Sequence, residues 1–362
     1  MKYYLYLFFI LSGFTASFGQ DSIRYRVIFV GDAGEMNPKQ QKALHQAADL
    51  IIPEKTIVMF LGDNIYPHGM GLPGDDDELV TQQVLKSQFS PMRAKGAPTY
   101  FVPGNHDWDR SGKEGLAKIK RQGQFLGEQS DPQLKLLPAN GCPDPVALNL
   151  SDSLTVIVYD SEWWLFPFDK SNADCNCKTK EDVLLKMSGL RDQNKGKFII
   201  LASHHPFQSY GTHGGKYSLK DHIFPLTAVK KYLWIPLPII GSLYPLLRTK
   251  FKNPEDMKHP LYQDLIQRVE QVFDSTTNVV HAAGHEHGLQ FIKGKHIQVV
   301  SGAGAKHNFV KKGKNSLFAD ATQGFVTVDL LTGGSLKFTF YIYKKGSIRQ
   351  EFTYSLAYST GK

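Results

Sequence analysis

Cysteine is scarce in this chain, and the scarcity removes one class of metal site. Only Cys142, Cys175 and Cys177 occur among 362 residues. A C-x-C pair with one distant partner offers three thiolates, and no nearby histidine completes the four-ligand set of a structural zinc site. In an oxidising compartment Cys142 would pair with one member of the Cys175-Asn176-Cys177 group, which leaves one thiol over. A fixed-period repeat and a low-complexity linker are also absent, so nothing between Asp21 and Phe352 marks a domain boundary. No recognisable basic motif accompanies the positive charge, and nucleic acid is not expected as a partner.

Long apolar runs are lacking too. The N-terminal run, Tyr3 to Phe14, is shorter than the roughly 20 residues that a membrane span needs. One basic residue precedes it and Ala16-Ser17-Phe18-Gly19-Gln20 follows, so residues 1–20 read as a signal peptide rather than as an anchor. The expected location is therefore periplasmic or extracellular, with peripheral membrane contact as a variant of it. The leader holds only Lys2 of the 42 lysines and arginines, and the mature chain stays basic against 34 acidic residues. That balance suits anionic substrates or anionic membranes.

What is present is one grammar used five times. A short apolar, β-branched run is followed at once by a polar cluster rich in Gly, Asp, Asn and His. The runs are Arg26 to Val30, Thr56 to Leu61, Thr99 to Val102, Phe198 to Ala202 and Asn278 to Ala283. The clusters are Gly31-Asp32-Ala33-Gly34, Gly62-Asp63-Asn64-Ile65-Tyr66, Gly104-Asn105-His106-Asp107, Ser203-His204-His205-Pro206 and Gly284-His285-Glu286-His287. Helical stretches at Pro38 to Ile52, Asp77 to Phe89, Lys180 to Asn194 and Pro260 to Phe273 alternate with the runs, which predicts an α/β sheet. Ligand groups gather at the carboxyl ends of strands in such sheets, so scattered clusters can make one pocket. From Leu289 to Phe352 closely spaced strand signals predict a second sheet packed on the first, within a single domain over residues 21–355.

The clusters offer Asp32, Asp63, Tyr66, Asn105, His204, His285 and His287. Carboxylate, carboxamide, imidazole and phenolate suit hard or borderline ions, and seven such groups are about what two adjacent ions need if one carboxylate bridges. In this order, GD-x-G, GDN-x-Y, GNHD, x-HHP and GH-x-H resemble the five motif blocks of calcineurin-like phosphoesterases. Tyr66, three residues after the second aspartate, marks the purple acid phosphatase branch of that superfamily. The resemblance implies a two-sheet β sandwich flanked by helices, in four layers. It also implies a binuclear centre in which Asp32, Tyr66 and His287 hold Fe(III) and Asp63 bridges. Asn105, His204 and His285 would then hold a divalent iron, zinc or manganese ion.

The same resemblance implies an acid phosphatase-like hydrolase of phosphorylated small molecules or proteins, which the signal-peptide reading makes a secreted one. A metal-activated hydroxide would attack phosphorus in line, as in a phosphomonoesterase. His106 and His213 match the positions of substrate-facing histidines, one of them protonating the leaving group. His205 alternates away from the ligand before it, and Glu286, between two ligands, reads as an outer or solvent-facing neighbour. The same ions would also serve a phosphodiesterase or nucleotide hydrolase.

An insertion at about residues 230–252 departs from the family pattern. Tyr232 to Leu247 carries no charge, contains three prolines and has basic flanks. It reads as a segment buried over the core or the active-site rim, or as an exposed loop that docks on an anionic membrane surface. A reading of a different class follows from the second alternative: a membrane-surface binding module on a degenerate phosphoesterase scaffold. The intact ligand set speaks against that reading.

Overall fold

The computed structural model describes residues 22–228, 232–237 and 253–359. The expected signal peptide, residues 1–20, and most of the insertion at 230–252 lie outside the described residues.

Two seven-stranded sheets form the frame. In spatial order the first holds Ser347–Ala357, Ser335–Lys344, Gly324–Leu331, Ile23–Val30, Thr56–Leu61, Thr99–Val102 and Leu134–Leu136. The second holds Ser316–Asp320, Leu289–Lys293, Ile297–Ser301, Val279–Ala283, Phe198–Ala202, Leu154–Val158 and Val146–Ser151. The site-bearing strands run parallel to one another within each sheet; antiparallel strands complete three of the four edges, and Leu134–Leu136 closes the fourth in parallel.

The central strands are mostly apolar because both their faces are covered. Val27 and Phe29 enter the layer between the sheets, while Ile28 and Val30 face the helices. Ile57, Met59 and Leu61 alternate with Val58 and Phe60 in the same way. This period of two gives four layers: helices, sheet, sheet, helices. Helix Pro38–Asp49 begins where the Asn37 side chain accepts from Lys39 N and Gln40 N, and helix Lys180–Gln193 opens on a capping box between Thr179 and Asp182. Both devices satisfy N–H groups that a helix start leaves open. Helix Pro260–Phe273 has the bounds expected from sequence.

One expectation fails. The strands from Leu289 onward do not form a sheet of their own, and the five site-bearing strands do not share one. Leu289–Lys293, Ile297–Ser301 and Ser316–Asp320 extend the sheet of Phe198–Ala202, whereas the last three strands extend the sheet of Ile23–Val30. The link Ala321–Gln323 carries the chain from one sheet to the other. Each group thereby pairs an edge that would otherwise stay open, which is the physical reason for the division.

Cys142 pairs with Cys175, and Cys177 is a buried free thiol. Burial, with Asp144 beside it, pushes that thiol up to about 11, so it is unreactive. Among the described residues no helix is long and apolar enough to cross a membrane.

Candidate metal centre

The five polar clusters meet at one end of the sandwich, three arriving from the first sheet and two from the second. Strand ends turn sharply there. Asp32, Asp63 and His285 all take left-handed backbone angles, with φ of 56°, 52° and 65°. Such angles are costly for residues with a side chain and persist only where the surroundings enforce them. Two glycines show the enforcement. A Cβ on Gly62 would lie 2.4 Å from His204 Nδ1, and one on Gly104 would lie 2.3 Å from Asp63 N.

Asp107 fastens the second and third clusters together. Its carboxylate accepts from Asn64 N at 3.0 Å, Gly104 N at 2.8 Å, Ile65 N at 3.2 Å and Asn64 Nδ2 at 2.9 Å. Asp107 stands in the GNHD block, yet sequence reasoning gave it no role.

The donor atoms fall into two sets divided by Asp63. On one side the Tyr66 hydroxyl lies 2.9 Å from Asp63 Oδ2, 3.0 Å from Asp32 Oδ1 and 3.1 Å from His287 Nε2. On the other side His204 Nε2 lies 3.3 Å from Asp63 Oδ1, 3.0 Å from Asn105 Oδ1 and 3.2 Å from His285 Nδ1. The two oxygens of one carboxylate therefore face different sets. All seven residues expected from sequence are brought together around Asp63.

Outer partners set which nitrogen faces inward. His204 Nδ1 donates to Leu61 O at 2.8 Å, which leaves Nε2 as a lone pair toward Asn105 and Asp63. His285 Nε2 donates to Glu255 O at 2.8 Å, which leaves Nδ1 inward. Such backbone acceptors are the usual way of orienting a metal-binding imidazole.

The electrostatics ask for cations. Burial, then the neighbouring Asp63, raises Asp32 well above the carboxylate range. Burial, then Asp32 and Asp63, raises the Tyr66 phenol as well. Burial, with His213 next, lowers His287 to about 4 and depresses His285 strongly, so both rings are neutral lone-pair donors. Crowded oxygen acids beside neutral imidazoles are costly without positive charge, and two ions would supply it. The residues fit a metal centre.

The remaining groups line the rim. His106 Nδ1 donates to Pro67 O at 2.6 Å, and its Nε2 lies 3.9 Å from Asp63 Oδ2. His213 lies against His285 with ring centroids 4.0 Å apart and the rings tilted by 40°, its Nδ1 held 3.1 Å from Asp256 Oδ1. Glu286 is buried and not solvent-facing. It accepts from Ser209 Oγ and from the N–H groups of Thr212, His213 and Gly214, which fixes the loop that carries His213. His205 lies beside His285, ring centroids 4.4 Å apart, with its Nε2 3.1 Å from Glu255 Oε2. Lys306 had no signal in the sequence. Its Nζ lies 3.3 Å from the centroid of the Tyr66 ring and 3.6 Å from Glu35 Oε2.

A family model described as "Calcineurin-like phosphoesterase" matches residues 25–234, more than half of the chain. No curated protein matches the sequence. Among solved structures, the inner membrane complex anchor of Plasmodium superposes with a TM-score of 0.54 at 19% identity, covering 94% of this chain and 91% of that one. A purple acid phosphatase from seeds of yellow lupin (Lupinus luteus) gives 0.54 at 16% identity, covering 94% of this chain and 55% of that one. At such identities the likeness is one of fold.

Proposed function

The chain belongs to the calcineurin-like phosphoesterases, and from that premise we propose that it is a secreted phosphoester hydrolase with a binuclear metal centre, acting as a phosphomonoesterase of the acid phosphatase type. The observation that carries this reading is Asp63, whose two carboxylate oxygens face two separate donor sets. Asp32, Tyr66 and His287 would hold Fe(III), and Asn105, His204 and His285 would hold divalent iron, zinc or manganese. When bound, the ions would supply Lewis-acid activation of water and of the phosphoryl group.

The chain's own groups have four tasks. Asp63 sets the spacing of the two donor sets. His106, its Nδ1–H committed to Pro67 O, turns Nε2 toward the Asp63 side and, as the imidazolium, gives its Nε2 proton to the leaving oxygen and is left as the neutral ring. Lys306 adds positive charge at the rim and favours an anionic substrate. His213 is placed beside His285 and takes part in contacting the phosphorylated substrate.

The test is to purify the mature chain, measure metal content and visible absorption, and follow hydrolysis of an aryl phosphate in the same sample. Two metals per chain, a tyrosinate-to-iron charge-transfer band and turnover are expected. Colourless active protein holding zinc or manganese would remove the iron assignment, and protein that neither binds metal nor turns over would overturn the reading. A diester and nucleotide panel in the same assay separates the monoesterase from a phosphodiesterase or nucleotide hydrolase.

A second reading has its own observation. Tyr232, Trp234 and Ile235 are 71%, 56% and 49% exposed, and Lys220 Nζ lies 4.3 Å from the Trp234 ring. An apolar surface beside lysine suits an anionic membrane. The likeness to the Plasmodium anchor, which spans nearly all of both chains, is in keeping with such a surface. Deleting residues 233–247 is expected to abolish sedimentation with liposomes rich in phosphatidylserine; unchanged sedimentation would dismiss membrane docking.

A further inference from the structure

Behind the His285 ring lies a second cluster of ligand-type groups that the hydrolytic reading does not use. It is built by His205, by Glu162 from the short helix Ser161–Leu165, and by Glu255 from the strap that follows the insertion. His205 and Glu162 are essentially inaccessible, and Glu255 is buried as well. The three donor atoms lie within 4.8 Å of one another.

The cluster is short of positive charge. Among the described residues His205 is the ion-pair partner of both carboxylates. Ser111 Oγ lies 2.8 Å from Glu162 Oε1 and 2.9 Å from Glu255 Oε1, yet a hydroxyl has one hydrogen to give. Glu162 Oε2 has no hydrogen-bond partner at all and points at His205 Nε2 from 3.8 Å. A fully buried carboxylate oxygen left in that state is costly.

The spacing suits an ion. Donors about 2.1 Å from a tetrahedral centre stand about 3.4 Å apart. His205 Nε2 is 3.1 Å from Glu255 Oε2 and 3.8 Å from Glu162 Oε2, values on either side of that edge. The other ring nitrogen is served by Ser161, whose Oγ lies 2.9 Å from His205 Nδ1. That hydroxyl can accept from Nδ1–H and leave Nε2 as a lone pair.

We propose that Glu162, His205 and Glu255 form an additional, buried binding site for a divalent ion of the zinc or manganese class. One imidazole and two carboxylates without thiolate are donors of that kind. The ion is structural. It pins the strap after the insertion, whose Glu255 carbonyl receives the N–H of His285, and so holds the His285 ring in orientation. The site stands whether or not Asp63 bridges two ions.

Crystals of the mature chain grown in zinc and measured at the zinc absorption edge test the proposal without a variant. An anomalous peak about 2.1 Å from Glu162 Oε2, His205 Nε2 and Glu255 Oε2 is the expected result. Absence of that peak overturns the site, whatever is found around Asp63, and absence of peaks around Asp63 alone bears on the hydrolytic centre instead. Metal analysis of zinc-saturated Glu162→Gln is expected to give one equivalent fewer than wild type, and an equal count would also overturn the proposal.

Discussion

The two sides of Asp63 differ in kind. Asp32, Tyr66 and His287 offer two oxygen acids and one imidazole, with Lys306 over the tyrosine ring. Asn105, His204 and His285 offer one neutral amide and two neutral imidazoles, all buried. Hard anionic oxygens favour the more highly charged ion and neutral nitrogens a borderline divalent one. On the proposed binuclear reading, this asymmetry would suit two unlike ions.

The comparison breaks first at its shared member. Asp63→Ala removes the one group common to both sides and is expected to lose both ions and at least about 100-fold of phosphatase activity, beyond what loss of an outer partner costs. Metal analysis with an aryl phosphate assay checks this, and retention of either ion at full occupancy would contradict the bridging role. His106→Ala should leave both sides loaded and slow turnover by about 100-fold, the scale of a lost general acid; a fall in metal content would instead make His106 part of the donor set. Asp107→Asn disturbs the frame rather than the donors. It is expected to weaken metal binding by about 10-fold through misplacement of the second and third clusters, as read by chelator competition. Lys306→Met touches only the oxygen-rich side. Removing a cation from the phenolate ring should move the charge-transfer band to longer wavelength and raise KM a few-fold, with metal content unchanged; an unmoved band would separate Lys306 from the tyrosinate.

The site was more legible than the frame around it. Each ligand sits within five residues of a strand end inside a short motif, so local sequence holds both its identity and its placement, and the five runs are strands to within a few residues of their expected bounds. Sheet membership is not local. Ser316–Asp320 and Gly324–Leu331 are separated by three residues yet belong to different sheets, a choice made by which edges stand open. Glu255 escaped because it follows the insertion without any motif and reaches Ser111 and His205 only in the folded chain. Glu162 was hidden among the apolar residues of Ser161-Glu162-Trp163-Trp164-Leu165. Lys306 needed the turn after Ile297–Ser301 to bring it over Tyr66.

The pairing of Ile23–Val30 with Gly324–Leu331, locked by the bidentate contact of Arg26 with Asp329, sets an order on synthesis. During translation the strand that delivers Asp32 gains Thr56–Leu61 early, but its other edge has no neighbour until the chain has reached residue 331. At about 5–20 residues per second the interval is roughly 15 to 50 seconds. For that time the edge is a template for any extended segment nearby. The nascent chain thus depends on whatever shields it, and the metal-binding end of the sandwich becomes complete only when almost the whole polypeptide has been made.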